Sequence, residues 1–151
     1  MAAKPLFASI VVVVDGTESG IHAARYAVRF AATHSAKIVA IAVVDTTILK
    51  SLLSSSVLVE SEMTEFCREL EASAQTNLSY VEQLAAEAGV SVQTVFKKGA
   101  GHAVITNEVR LLNPDLLVMG SFSSSMIKRD LNARARRLIL DEAQCPILLV
   151  P

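Results

Sequence analysis

Apolar positions along this chain follow two rhythms that alternate from end to end. Ile10-Val-Val-Val-Val14 is a continuous β-branched run, the pattern of a parallel strand covered on both faces, and Asp15-Gly16-Thr17 stops it. A helical period follows over Glu18 to His34, with Thr17 or Ser19 as N-cap, Ile21, Ala24, Val28 and Ala31 on the inner face, and Arg25 and Arg29 outside. Lys37 to Val44 predicts a second buried strand, which Asp45-Thr46-Thr47 leaves. Ile48 to Ser56 has no settled period: Leu49, Leu52 and Leu53 are mixed with Ser51 and Ser54-Ser-Ser56. It reads as a loop, or as a mobile lid.

From about Val57 the helical spacing returns through Met63, Phe66, Leu70, Ala74, Leu78, Val81, Ala85 and Ala88, until Gly89 ends it. Glu60, Glu62, Glu65, Glu69 and Glu71 crowd its first half, as suits a solvated helix N-terminus rather than a metal site. Val90 to Phe96 alternates apolar and polar residues like a strand at a sheet edge, and Lys97-Lys98-Gly99-Ala-Gly101 reads as a turn. Ala103, Val104, Val109 and Leu112 mark a short helix closing at Asn113-Pro114. The apolar run Leu116 to Met119 stops at Gly120, passes through small hydroxyl residues and enters a helix reaching Ala143. A last strand then runs from Pro146 to Val150.

Five strands with crossover helices define an α/β fold: a doubly wound, Rossmann-like parallel sheet in a single domain spanning residues 1–151. In such sheets ligands sit in a crevice at the carboxyl ends of the strands, where the winding reverses. If the first and fourth strands are the neighbours there, Asp15 and Gly120 face one crevice. The glycine can take backbone angles closed to other residues, next to a helix start that attracts anions.

Composition changes this picture little. With 52% apolar residues and a net charge of −1 from 14 basic and 15 acidic residues, nothing points to nucleic acid or to an anionic membrane as partner. No apolar run approaches the ~18–20 residues of a membrane span. Cys67 and Cys145 read as buried thiols of a reduced compartment, which implies the cytoplasm. His22, His34 and His102 have no partner at ligand spacing, so no metal is expected. Gly-Ser121-Phe-Ser-Ser lacks the second glycine of a nucleophile elbow, which argues against a hydrolase. Lys128, Arg129, Arg134, Arg136 and Arg137 spread over several faces of one helix and read as a solvated or salt-bridged surface.

Val14-Asp15-Gly16-Thr17, Gly99, Pro114-Asp115-Leu-Leu-Val-Met-Gly120 and Gln144-Cys145-Pro146-Ile-Leu-Leu-Val150, in this order and spacing, resemble the universal stress protein family over essentially the whole chain. The resemblance implies strand order 3-2-1-4-5, a cytoplasmic homodimer paired through its C-terminal strand, and in many members ATP or another adenine nucleotide such as AMP in the crevice. Nucleotide-binding members carry glycine, two residues, glycine, nine residues, then glycine and a serine or threonine. Here those positions are Gly120, Ser123, Ala133 and Arg134, and three of the four depart from the pattern. A Cβ at Ser123 and Ala133 crowds a triphosphate, and Arg134 brings charge but no hydroxyl. The expected lining of the crevice is Asp15, Gly16, Val43, Gly120, Ser121, Ser123 and Arg134. Asp15 has two roles open to it, near adenine and ribose by resemblance, or as the cap of its own turn.

Two functions follow. One is a non-enzymatic, dimeric stress-response module without cofactor that acts through an unidentified protein partner. The other is a sensor of an adenine nucleotide or another small phosphorylated ligand.

Overall fold

The computed structural model describes residues 5–56, 59–121 and 126–151, and the side chains of all of these except Ile48 and residues 126–133. Along the described chain the elements are β1 (Ser9–Val13), α1 (Glu18–His34), β2 (Lys37–Asp45), α2 (Thr46–Ser54), α3 (Glu60–Glu87), β3 (Val92–Gly99), α4 (Gly101–Leu112), β4 (Leu116–Gly120), α5 (Met126–Glu142) and β5 (Ile147–Val150). The strands pair in parallel in the order β3-β2-β1-β4-β5, so β1 and β4 are the neighbours at which the winding reverses.

Period-two alternation sorts the β-branched runs onto the two faces of the sheet. Ile10, Val12, Ile38 and Val118 meet the alanine face of α1 (Ala23, Ala24, Ala27, Ala31) and the rear half of α3 (Ala74, Leu78, Val81, Ala85). Val11, Val13, Ile41, Leu117 and Met119 meet Ile105 and Val109 of α4 and Ile139 of α5. Ile10, Val11, Val12, Ile41 and Leu117 are fully buried, each contributing roughly 1.5–3 kcal/mol of transfer free energy. Asp115 ties the floor together, its Oδ2 accepting from the backbone N–H groups of Ala8 (2.8 Å) and Ser9 (3.0 Å).

Residues 46–54 form helix α2 where a loop is expected. Leu49 and Leu52 stand three residues apart, and Leu49 is buried. The serines do not break the helix: the hydroxyls of Ser54 and Ser55 donate back to the carbonyls of Lys50 and Ser51, both at 2.8 Å, four residues earlier. Ser56, at φ 60°, closes the segment. Strand β3 also runs past the expected turn to Gly99, because β2 offers it backbone partners as far as Asp45. Lys97 and Lys98 therefore lie on a strand, paired with Glu108 at 3.5 Å and with Glu71. Cys67 and Cys145 are free and half-buried rather than buried. Burial pushes the Cys145 thiol above its usual pKa. Among the described residues, no helix is long and apolar enough to cross a membrane.

Candidate functional site

The carboxyl ends of β1 and β2 are built alike. Asp15 leaves β1, and its Oδ1 accepts from Thr17 N–H (3.0 Å) and Thr17 Oγ1 (2.6 Å); Thr17 Oγ1 in turn accepts from Gly20 N–H at 3.0 Å, capping α1. Gly16, between them, sits at φ 76°. Asp45 leaves β2 and repeats the turn with Thr47, whose N–H and Oγ1 donate to its Oδ1. Its Oδ2 accepts from Gly101 N–H at 3.0 Å, so one carboxylate holds the starts of both α2 and α4. The capping role of Asp15 is thus present in the geometry.

Between these turns and β4 opens a crevice of about 270 Å³. Val13, Val14, Val43, Val44 and Met119 form its floor at the strand ends. Leu49 and Leu52 of α2, Phe66 and Leu70 of α3, Ile105 of α4 and Ile139 of α5 enclose it. Asp15, Thr17, Asp45, Asn77, His102 and Arg136 are polar members of the lining. A second depression, of about 340 Å³, lies between α4 and the end of α5 against Thr106, Asn107, Arg110, Glu142 and Gln144, away from the switch point of the sheet.

Arg136 is, with Thr17, Asp45, Asn77 and His102, a polar lining residue that sequence reasoning left outside. Of the basic cluster, Arg134 and Arg137 are exposed and Arg134 is not part of the lining, whereas Arg136 turns inward and donates from Nη1 to the carbonyl of Ser121. Partial burial lowers its pKa, and the charge of Asp15 opposes that shift. It stays a cation at any working pH. The side chains of Lys128, Arg129 and Ala133 lie outside the described ones, as does the whole of Ser123.

Gly120 ends β4 with its back to the crevice. It does not take a positive φ. A Cβ placed there would stand 2.5 Å from Ser19 Oγ, 2.7 Å from Ser19 C and 2.8 Å from Gly20 N, so the glycine admits the first turn of α1 against the strand. Ser121 N–H donates to the Val150 carbonyl at 2.9 Å, and Ser121 Oγ is buried without a hydrogen-bond partner among the described residues. No cluster of three or more His, Cys, Asp or Glu capable of holding a metal occurs among the described residues.

A doubly wound parallel sheet whose winding reverses between β1 and β4 places the chain in the Rossmann-like α/β class. Within that class, the chain belongs to the universal stress protein family, whose model matches residues 7–151. It is similar to a universal stress protein of Methanocaldococcus jannaschii, at 28% identity over 145 residues, covering 96% of this chain and 82% of the relative. Among solved structures it is similar to a universal stress protein in complex with cAMP (20% identity, TM-score 0.69, covering 97% of this chain and 98% of that one). A universal stress protein family protein from Arabidopsis thaliana with AMP bound is also similar (19% identity, TM-score 0.67, covering 95% and 90%).

Proposed function

We propose that this stress-response protein works in the cytoplasm as a homodimeric regulatory module, acting through contacts with other proteins. In this reading it has no catalytic activity and does not take ATP in the way its nucleotide-binding relatives do. The observation that carries the reading is Arg136, a single guanidinium with one donor on the Ser121 carbonyl beside the strand end where phosphates lie in sheets of this class, too little positive charge to balance a triphosphate. Three further facts point the same way. At about 270 Å³ the crevice lies at the lower edge of the roughly 300–1,000 Å³ of typical ligand pockets, small for a nucleoside triphosphate. Its enclosing side chains are mainly apolar, and among the described lining residues one guanidinium faces two carboxylates. Among the described residues the multiple charges of a triphosphate have no matching set of donors there, and Ser123 and Ala133 stand where nucleotide-binding members carry glycine.

Calorimetric titration with Mg-ATP is expected to give a dissociation constant no tighter than high micromolar, about −5 kcal/mol or weaker. The triple change Ser123→Gly, Ala133→Gly, Arg134→Ser should improve it. Each glycine costs roughly 0.5–1 kcal/mol of order, while each restored contact to a charged phosphate contributes roughly 1.5–3 kcal/mol. Low-micromolar binding by the unmodified protein would overturn the reading. A sensor of an adenine mononucleotide is the second reading, supported by the AMP and cAMP held by the two solved relatives. Native mass spectrometry of freshly purified protein separates the two, because a sensor of this kind retains nucleotide.

The dimer rests on β5. It is an outer strand of the sheet, paired with β4 on one side, and Leu149 on it is 41% exposed. An apolar edge invites a second strand, and self-pairing about a two-fold axis closes it. Sedimentation velocity should give a dimer for the wild type and a folded monomer for Leu149→Lys, since each subunit would have to bury a charge on the apolar edge. A monomeric wild type would refute the arrangement.

A further inference from the structure

From the same crevice, and resting on the reading that it is not an ATP site, we infer that it binds a small monocarboxylate with an apolar body. The carboxylate sits on Arg136 and the body among Val43, Leu49, Leu52, Phe66, Leu70 and Ile105. These six side chains come from four helices and strands on different sides of the cavity, so the apolar surface encloses a ligand rather than presenting a flat patch.

The polar groups select the head of that ligand. Asp15 and Asp45 hold helix starts: Thr17 occupies Oδ1 of the first, while Thr47 and Gly101 occupy both oxygens of the second. Arg136 is not used in this way. Among the described residues it forms no ion pair within 4.0 Å, and its bond to the Ser121 carbonyl engages one of five N–H donors. Asp15 acts on it only through space. A partly buried guanidinium without a direct counter-ion is an electrostatic cost that an entering anion removes. Ser121, whose carbonyl takes the Arg136 bond, is not itself among the described lining residues. Charge fixes the class further. One carboxylate matches one guanidinium in forked geometry, whereas the oxygens of Asp15 and Asp45 are engaged at their own turns and helix starts, and a neutral chain would leave the guanidinium unpaired.

The test uses the full chain and four probes in calorimetric titration: sodium octanoate, octan-1-ol, octylammonium chloride and Mg-ATP. Octanoate should bind saturably and at least about tenfold tighter than octan-1-ol, and octylammonium binding as tight as octanoate would show that Asp15 and Asp45 select the head and would overturn the inference. Arg136→Gln should lower octanoate affinity by at least about tenfold and leave octan-1-ol within about twofold, and Arg136→Lys should fall between. Should Arg136 variants fail to fold, Leu52→Trp, on the half-buried roof, provides an independent check: it fills the cavity and should weaken octanoate and octan-1-ol alike. Equal affinity for octanoate and octan-1-ol, or no saturable octanoate binding, overturns the inference. If Mg-ATP also fails to bind, only this inference falls. Tight Mg-ATP binding overturns instead the reading of the crevice on which it rests.

Discussion

Gly120→Ala is expected to lower the unfolding free energy by about 3 kcal/mol, the upper part of the usual range for overpacking. The added Cβ would meet Ser19 Oγ at 2.5 Å, which can rotate away, but also Ser19 C at 2.7 Å and Gly20 N at 2.8 Å, which cannot. Relief requires α1 to lift off the end of β4, and α1 contributes Ala23, Ala24, Ala27, Val28 and Ala31 to the core. For a chain of this size the melting temperature should fall by roughly 6–12 °C, and urea unfolding should give the same loss at a constant m-value. The result also tests what the glycine is for. A glycine present only to receive phosphate would tolerate alanine with a stability change below about 1 kcal/mol.

Asp45→Ala is the second substitution with a large expected effect, about 1–4 kcal/mol. It removes the side-chain acceptor at two helix starts, each worth roughly 0.5–2 kcal/mol. Thr47 N–H and Gly101 N–H both lose their carboxylate partner. Asp45→Asn restores an acceptor for one start at a time and should recover about half of the loss. Chemical denaturation followed by circular dichroism measures both variants. Equal stability of Asp45→Ala and wild type would mean that α2 and α4 are held by packing alone.

The strands were legible because burial on two faces leaves no choice of residue: Ile10 to Val14 and Leu116 to Met119 are continuous apolar runs, and their faces sort by parity alone. Helix α1 was legible through Thr17 and its alanines. Helix α2 was not, because its serines satisfy their hydroxyls on their own helix, an arrangement with no signature in composition. The extension of β3 to Gly99 depended on the length of β2, a partner remote in sequence. The crevice was legible as a place from the strand-turn-helix pattern, but its contents were not. Arg134 and Arg136 lie two positions apart on one helix and point in different directions, and that phase is set by how α5 packs on β4 and α4. Gly120 was found for one reason and is required for another. The motif singles it out as a phosphate-loop residue, while the packing shows a close approach between a helix and a strand.

Helix α3 spans 28 residues, yet its buried positions, Ala74, Leu78, Val81 and Ala85, all lie in its rear part, leaving Phe66 and Leu70 to cover the crevice from a half-exposed front. Mechanically this is a cantilever, clamped at one end and loaded at the other. The cost of local opening is then expected to rise along one continuous helix from its front toward Val81, which graded amide exchange would measure. Any opening of the crevice on this side would draw on the front turns while the clamped turns keep the sheet intact. If the crevice takes the carboxylate inferred for it, the entry and exit rates of that guest are expected to follow helix stiffness, changing with substitutions on the solvent side of residues 60–73 that touch neither the guest nor the core.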